Sequence, residues 1–236
     1  IVLARKAVRD ADRRYVIFTA EHGKVVLLAK GSRRGKSKLS PHMSIFGVVD
    51  LMVAEGRLAD RLAGADLIDA FSGIRESLEK TAAAQSFLLV VDALTRRGVP
   101  DRRVFDLLVG FLRAIEASPS RGRGRDPLFD AAVLRLLDIL GFGIELDRCI
   151  VCRGQLAPQG NALDPGRGGA ECADCRSPSS LPVASSALAA LRGIRNGQLI
   201  TSAATSRETA DVADLLLATH LEGRVRALGF LRKMCG

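Results

Sequence analysis

The first 72 residues alternate short apolar stretches with polar turns, a pattern typical of β-strands. It predicts strands at Ile1–Val8, Arg14–Ala20, Lys24–Lys30, Met43–Glu55 and Arg61–Phe71. The second and third strands are joined by Glu21-His22-Gly23, a hairpin turn in which the glycine can supply a positive φ. Five strands in about 70 residues fit a small barrel.

From residue 74 the spacing of apolar residues becomes helical. Ile74–Arg97 is predicted as a buried central helix, and an amphipathic helix follows Pro100-Asp101. Its apolar face comprises Val104, Leu107, Leu108, Phe111, Leu112 and Ile115. A third helix, Pro127–Leu140, has Asp126 as N-cap and Gly141 as its stop, and Arg121–Arg125 before it is predicted as a linker. Later helices are predicted at Ser185–Arg192 and from Thr205, with Glu208 completing a capping box, past Leu215 to the helical chain end.

The positive charge of the chain is concentrated near the N-terminus. Residues 1–40 hold eleven basic and three acidic residues, a local charge of +8, out of a net +9 for the whole chain. Such a segment predicts a face that meets a polyanion, nucleic acid ahead of an anionic membrane, although a merely solvated face is the alternative. Together with a small barrel it favours the oligonucleotide-binding (OB) fold.

Eight basic residues are the candidate nucleic-acid contacts. The segment Gly31–Lys38 offers no apolar residue to bury, so we expect a mobile cationic loop there. The eight are Arg13, Arg14, Lys24, Lys30, Arg33, Arg34, Lys36 and Lys38. Tyr15, Phe18 and Phe46 could stack on bases, although a core position is the more favoured reading for Phe18 and Phe46.

Four of the five cysteines form two Cys-x-x-Cys pairs, Cys149/Cys152 and Cys172/Cys175, with 19 residues between the pairs. This spacing is typical of two thiolate pairs around one tetrahedral zinc ion, and four thiolates leave no open position for a substrate. The sequence therefore predicts a structural Zn²⁺, one per chain, in a segment 147–177 whose glycines and prolines could not build a core alone. Reduced or paired cysteines without a metal are the alternative, and Cys235 is expected to be a bystander.

Other function classes find little support. Apolar stretches fall far short of the roughly 18 residues that a membrane span requires. Gly31–Ser37 has three residues between its glycines where a phosphate-binding loop needs four, and the three histidines, His22, His42 and His220, are scattered. No catalytic set remains, so we expect a protein that is not an enzyme. Basic residues within the first ten positions leave no room for the apolar core of a signal peptide. The few cysteines predict a reducing, cytoplasmic setting. We also expect further residues to precede Ile1.

Three groups of motifs resemble the RecO family of bacterial DNA repair proteins. The first comprises Asp12-Arg13, Thr19, Gly23-Lys24, Ala29-Lys30-Gly31, Arg33 and Ser37-Lys38-Leu39. The second is Leu146-Asp147-Arg148-Cys149-Ile150-Val151-Cys152, and the third includes His220–Arg224 and Gly229-Phe230-Leu231. The resemblance implies an α+β protein with an N-terminal five-stranded OB-fold barrel, residues 1–72, and a C-terminal α-helical domain, residues 73–236, into which the zinc segment is inserted.

The resemblance also implies a recombination mediator that acts in DNA repair and the SOS response. Such a protein binds single- and double-stranded DNA and anneals complementary strands. With RecR it assists the loading of RecA on strands coated by single-stranded DNA-binding protein, in the cytoplasm at the nucleoid. The alternative is a zinc-stabilised protein-interaction module whose barrel binds protein rather than DNA.

Overall fold

The computed structural model describes residues 1–8, 11–57, 59–119, 125–198 and 206–220. The chain forms two compact units, Ile1–Gly124 and Arg125–Gly236. By this division the first two long helices belong with the N-terminal sheet. The division after residue 72 stays a prediction.

The first unit is built on a five-stranded sheet. Its strands are β1 (Val2–Ala7), β2 (Arg13–Thr19), β3 (Gly23–Ala29), β4 (Val48–Ala54) and β5 (Arg61–Asp69), in the order β1-β2-β3-β5-β4. All neighbours are antiparallel except β3 and β5, which are parallel. The five strands are confirmed, and Gly23 closes the β2–β3 hairpin with a φ of 64°. The fourth strand begins at Val48 rather than Met43 because residues 40–47 turn, with Phe46 at a φ of 77°.

The sheet is not closed into the barrel that the sequence predicts. No ladder joins β1 to β4 within the part of the chain that the structure describes. Two backbone hydrogen bonds link Val2 to the residues before β4, from Val2 N to Gly47 O at 3.1 Å and from Phe46 N to Val2 O at 3.3 Å. Among the described residues, these bonds bridge the gap at one end.

The sheet folds around an apolar core that includes Tyr15, Ile17, Leu27 and Met43. Phe18 is fully buried and Phe46 is 4 % exposed, so the core reading of these rings is confirmed. Tyr15 is also fully buried. None of the three rings is exposed for base stacking.

Two long helices complete the first unit: α1 (Leu78–Leu94) and α2 (Arg102–Ala117). A short 3₁₀ helix, Ser72–Glu76, precedes α1, so the single helix predicted from Ile74 is broken. Ser77 breaks it, because its backbone is extended and its hydroxyl caps α1 by accepting from Lys80 N. The predicted start of the next helix is confirmed by Asp101, which caps α2.

The second unit comprises α3 (Pro127–Ile139), α4 (Ser185–Arg195) and α5 (Ser206–His220), with short strands β6 (Ala162–Asp164), β7 (Gly169–Glu171) and β8 (Leu181–Pro182). The predicted cap of α3 is confirmed, since Asp126 accepts a hydrogen bond from Leu128 N at 2.9 Å. Three predictions lie outside the described residues: the linker at 121–124, the cap at Thr205 and the helical chain end. No helix in the described ranges is long and apolar enough to span a bilayer.

Candidate nucleic-acid surface and four-cysteine centre

The segment after β3 folds back onto the connection between β1 and β2. Gly31 N donates to Asp12 Oδ1 at 2.8 Å, and Arg33 N donates to Ala11 O at 2.9 Å. Arg34 N then bonds to Gly31 O at 3.0 Å, and Gly31 adopts a φ of 64° that suits glycine. Asp12 and Gly31 both belong to the family-like motif, and this contact gives them a shared structural role.

Three arginines line one open cavity of about 370 Å³ beside this segment. They are Arg13, Arg33 and Arg34, and the rest of the wall comprises Ser32, Gly35, Ser37, Ser40 and Pro41. Arg13 Nη1 donates to Ser40 Oγ at 3.1 Å, which holds this guanidinium at the wall. Guanidinium and hydroxyl groups are the donors that recognise phosphate oxygens. The cavity therefore has the chemistry of an anion site.

The other exposed candidates are distributed around this cationic loop, residues 30–41. Lys30, Lys36 and Lys38 are exposed on it. Arg14 is exposed on β2, but adjacent strand residues point to opposite sides of a sheet, so it does not share the face of Arg13. The structure therefore brings together Arg13, Arg33 and Arg34 and leaves Arg14 on a separate face.

A further cation was missed by the sequence analysis. Lys6 on β1 lies directly opposite Arg14 on β2 and is exposed. The two like charges are unfavourable neighbours unless an anion lies between them. Aligning the alternation of β1 with that of β2 is the signal that could have identified the pair.

Lys24 does not belong to this surface. Its side chain is only 10 % exposed, and its Nζ lies 2.9 Å from Asp92 Oδ1 and 2.5 Å from Asp92 O. Its backbone carbonyl also accepts from Gly98 N at 3.0 Å. Lys24 thus fastens β3 to the C-terminal end of α1, and we assign it a structural role in place of the predicted DNA contact.

The four cysteines of the second unit converge. Their Sγ atoms all lie within 4.8 Å of one another, and those of Cys152 and Cys172 are 3.9 Å apart. Two thiolates bound at about 2.3 Å to a tetrahedral zinc ion would be about 3.8 Å apart. The donor set and its spacing therefore fit a single metal ion.

Local backbone structure positions each pair. Arg153 N donates to Cys149 O at 2.9 Å with Arg153 at a φ of 62°, which turns the first pair back on itself. Cys172 follows directly after β7, and Cys175 N donates to Cys172 O at 3.1 Å. The two turns meet because Ile150 N bonds to Ala170 O at 2.9 Å.

The pKa values of Cys149 and Cys175 are shifted in opposite directions. Burial opposes ionisation of Cys149, but N–H donors from Cys152, Cys172 and Val151 outweigh it and lower its pKa to about 6. A hydrogen bond with the Cys172 thiol, together with burial, raises the pKa of Cys175 to about 12. Four thiolates at neutral pH therefore require a compensating cation, as a metal-binding thiol cluster does.

A buried carboxylate stabilises the segment around the cysteines. Glu171 is fully buried between Arg167, at 2.5 Å, and the hydroxyl of Ser180, at 2.5 Å. It also accepts from Ser177 N at 2.9 Å. These bonds tie the chain after Cys175 back to β7, so the polar groups are satisfied by the fold itself.

Comparison with known proteins identifies the family. The family model described as "Recombination protein O N terminal" matches residues 1–71, and "Recombination protein O C terminal" matches residues 75–229. The chain belongs to the RecO family. The boundary between the two matches falls close to the predicted one after residue 72.

Curated relatives of this chain support the same family. A protein named DNA repair protein RecO from Rubrobacter xylanophilus is 36 % identical over 196 residues, covering 81 % of this chain and 77 % of the relative. Relatives with the same name from Roseiflexus sp. and Frankia casuarinae are 33 % and 32 % identical. They cover 98 % and 99 % of this chain, and 83 % and 96 % of their own lengths.

Proposed function

We propose that this RecO-family chain is a DNA-binding mediator of recombination and DNA repair. The observation that carries the proposal is the open cavity in which Arg13, Arg33 and Arg34 meet. Guanidinium groups at such a cavity bind backbone phosphates, which are present in any sequence and in both single and double strands. A mediator that acts wherever a strand is damaged requires contacts of that kind.

The strand order supports an OB domain, residues 1–72, as a partly open barrel. Parallel β3 and β5 with β4 at the far edge form a five-stranded sheet whose ends, β1 and the start of β4, approach each other at Val2. OB folds are five-stranded, partly open barrels that bind oligonucleotides, typically through strands 2 and 3 and neighbouring loops. Here the cationic loop follows β3, so the site uses the β3–β4 connection as well.

Strand annealing follows from the same charge distribution. Two complementary strands repel each other through their phosphates, and a surface that neutralises part of that charge on both strands lets base pairing proceed. Binding that depends on phosphate rather than on base edges leaves the bases free to pair. No catalytic residue is needed for this activity, which agrees with a protein that is not an enzyme.

The family membership supports the partners of the proposed function. They are RecR, single-stranded DNA-binding protein and, indirectly, RecA during its loading on coated strands. Such work places the protein in the cytoplasm at the nucleoid. A helical domain, residues 73–236, carries the cysteine segment, residues 147–177.

We propose Zn²⁺ as the ion held by Cys149, Cys152, Cys172 and Cys175. Four thiolates are the donor set of structural zinc sites, and the closed shell gives the ion no role in chemistry. The ion supplies folding energy to a segment whose strands, β6 to β8, are two or three residues long. Elemental analysis of freshly reduced protein should therefore find one zinc per chain.

A salt titration with mixed-sequence oligonucleotides tests the DNA proposal. With about six phosphate contacts on a single strand, the slope of log K against log salt should be near −4, a loss of about 300-fold between 50 and 200 mM. Reversing the charge of Arg33, Arg34 and Lys36 together should weaken binding at least tenfold. A matched control reverses three exposed arginines on other elements of the same unit: Arg57, Arg96 and Arg113.

The outcomes separate the two candidate functions. A tenfold loss in the loop variant with at most a twofold loss in the control supports the cationic loop as the site. Equal losses would remove this site assignment, because binding would then follow net charge alone. No measurable binding at 50 mM salt would favour the protein-interaction module.

A further inference from the structure

The outer face of the β4–β5 hairpin carries exposed apolar and acidic side chains that the sheet does not use. Met52 on β4 and Ile68 on β5 are 69 % and 68 % exposed, among the most exposed large apolar residues described. Asp50 and Asp66 are exposed on the same two strands. We call these four residues the acidic hairpin face.

Strand register places these groups next to one another. Asp50 lies directly opposite Asp66, and Met52 lies directly opposite Gly64. A Cβ on Gly64 would be 3.3 Å from Met52 Cβ, so the methionine stands over bare backbone. Residues two apart on a strand share one side of the sheet, so Asp50 and Met52 face the same way, as do Asp66 and Ile68. The carboxylate pair therefore lies between the two apolar side chains.

This arrangement costs stability in the isolated chain. Like charges directly opposite each other on neighbouring strands are destabilising, and neither Asp50 nor Asp66 makes an ion pair with any residue in the described ranges. The basic residues described within the hairpin, Arg57 in its turn and Arg61 at the start of β5, lie several strand positions from the carboxylate pair. The core does not require these groups, because other hairpin residues, including Leu62, Val49 and Leu51, pack in it.

Charge and hydrophobicity together indicate what would cover the face. Exposed apolar groups bordered by polar residues are typical of protein interfaces. Two adjacent carboxylates repel a nucleic-acid backbone but complement lysine and arginine side chains. The observations therefore favour a protein over a polynucleotide.

We propose that the acidic hairpin face docks a protein partner that presents basic side chains flanked by apolar groups. The partner's cations would neutralise Asp50 and Asp66, and its apolar groups would cover Met52 on one side of the carboxylate pair and Ile68 on the other. This interaction surface is separate from the cationic loop and does not depend on the proposed DNA binding. It would let the first unit engage an anion and a basic protein through different residues.

Site-specific photo-crosslinking tests the proposal in the full chain. A benzophenone amino acid replaces Met52 in one version and Ile68 in another, and each is irradiated in cells of the organism that makes the protein. The cross-linked segment is mapped by mass spectrometry. We expect a protein whose segment contains lysine or arginine beside an apolar residue. The purified partner is then titrated against the unlabelled chain.

Pairs of test and control variants show whether these residues contribute to the affinity for the partner. The double variant Asp50→Lys/Asp66→Lys should weaken the partner at least tenfold, whereas Glu21→Lys/Glu76→Lys, two exposed acids elsewhere in the unit, should weaken it less than twofold. Ile68→Ser should also weaken it at least tenfold, in contrast to Leu78→Ser, whose residue is 76 % exposed. Unchanged fluorescence of the buried Tyr15 confirms that each variant folds.

Several results would overturn the proposal. These are cross-links only to nucleic acid or to a second copy of the chain, a contact segment that is acidic, no protein cross-link from either position, or equal affinity losses in test and control variants. Loss of DNA binding bears only on the cationic loop. The two proposals therefore fail independently.

Discussion

The ion pair between Lys24 and Asp92 offers the sharpest test of how the first unit is held together. We consider Asp92→Ala and Lys24→Met separately, because each removes one partner and leaves the other in place. Lys24 is 10 % exposed in its side chain and Asp92 is 37 % exposed. The ammonium is thus buried, whereas the carboxylate retains access to water.

The two substitutions should differ in cost. Breaking a fully buried pair costs about 3–5 kcal/mol, and an exposed pair is worth about 0–1 kcal/mol. Asp92→Ala leaves the buried Lys24 ammonium with only a carbonyl partner, so we expect the free energy of unfolding to fall by about 2 kcal/mol. Lys24→Met leaves a carboxylate that water can reach, so we expect about 1 kcal/mol. The double variant should be less unstable than the sum of the two, since the stranded charge is then absent.

The chain provides a local probe for this measurement. It has one tyrosine and no tryptophan, and Tyr15 is fully buried in the sheet. Urea unfolding followed by tyrosine fluorescence therefore reports on the first unit alone, which avoids treating a two-unit chain as one transition. With a slope of about 1–2 kcal/mol per molar urea, Asp92→Ala should lower the midpoint by about 1–2 M.

DNA affinity provides the refuting result. Lys24→Met should change oligonucleotide binding less than twofold under conditions where the protein is folded, because the side chain faces Asp92. The reasoning would be refuted if Lys24→Met weakened DNA binding tenfold with an unchanged urea midpoint. Lys24 would then be a DNA contact, as the sequence motif predicts.

Three further predictions concern the metal, a glycine and a buried acid. Cys149→Ser should lose its bound zinc, measured by elemental analysis, and its second unit should unfold first, measured by faster amide exchange in α3. Retained zinc with unchanged exchange would contradict this. Gly23→Ala should lower the Tyr15 urea midpoint, because a Cβ there would lie 2.1 Å from Val99 O at a φ of 64°, while Gly35→Ala, with open space around it, should not. Burial raises the pKa of Asp130 from 3.8 to about 7, with the Arg125 guanidinium opposing the shift. Between these two pKa values the folded state holds a proton that the unfolded state releases, so the free energy of unfolding of the second unit should rise as pH falls from about 7 to about 4. Asp130→Asn should flatten this dependence of stability on pH. An unchanged dependence would exclude Asp130 as its source.

Local signals accounted for much of the fold. The cap Asp126, the first-turn Pro127 and the stop Gly141 defined α3 to within one residue, because capping involves neighbours in sequence. The two Cys-x-x-Cys pairs predicted the four-cysteine cluster, since each pair closes a local turn. The β2–β3 hairpin was equally predictable from the alternation of its residues and from Gly23.

Contacts between distant segments decided which charged side chains are buried and which partners they have. Lys24 looks like any other basic residue in a cationic stretch, but a helix 68 residues away supplies its partner and removes it from solvent. Arg13 and Arg14 are adjacent in sequence, yet the pleat separates their faces. The pairing of Asp50 with Asp66 depends on the register of β4 against β5, which bulges shift at two points.

The amino-acid order by itself determined which segments become strands and helices, where the helices capped by Asp101 and Asp126 begin, and which thiols gather, because periodicity, caps and short spacings act between residues a few positions apart. Only the tertiary structure decided which cations remain at the surface, which acids lie side by side and how far the sheet closes. Burial and the distance between charges depend on packing across the whole unit, and no stretch of sequence contains that information locally.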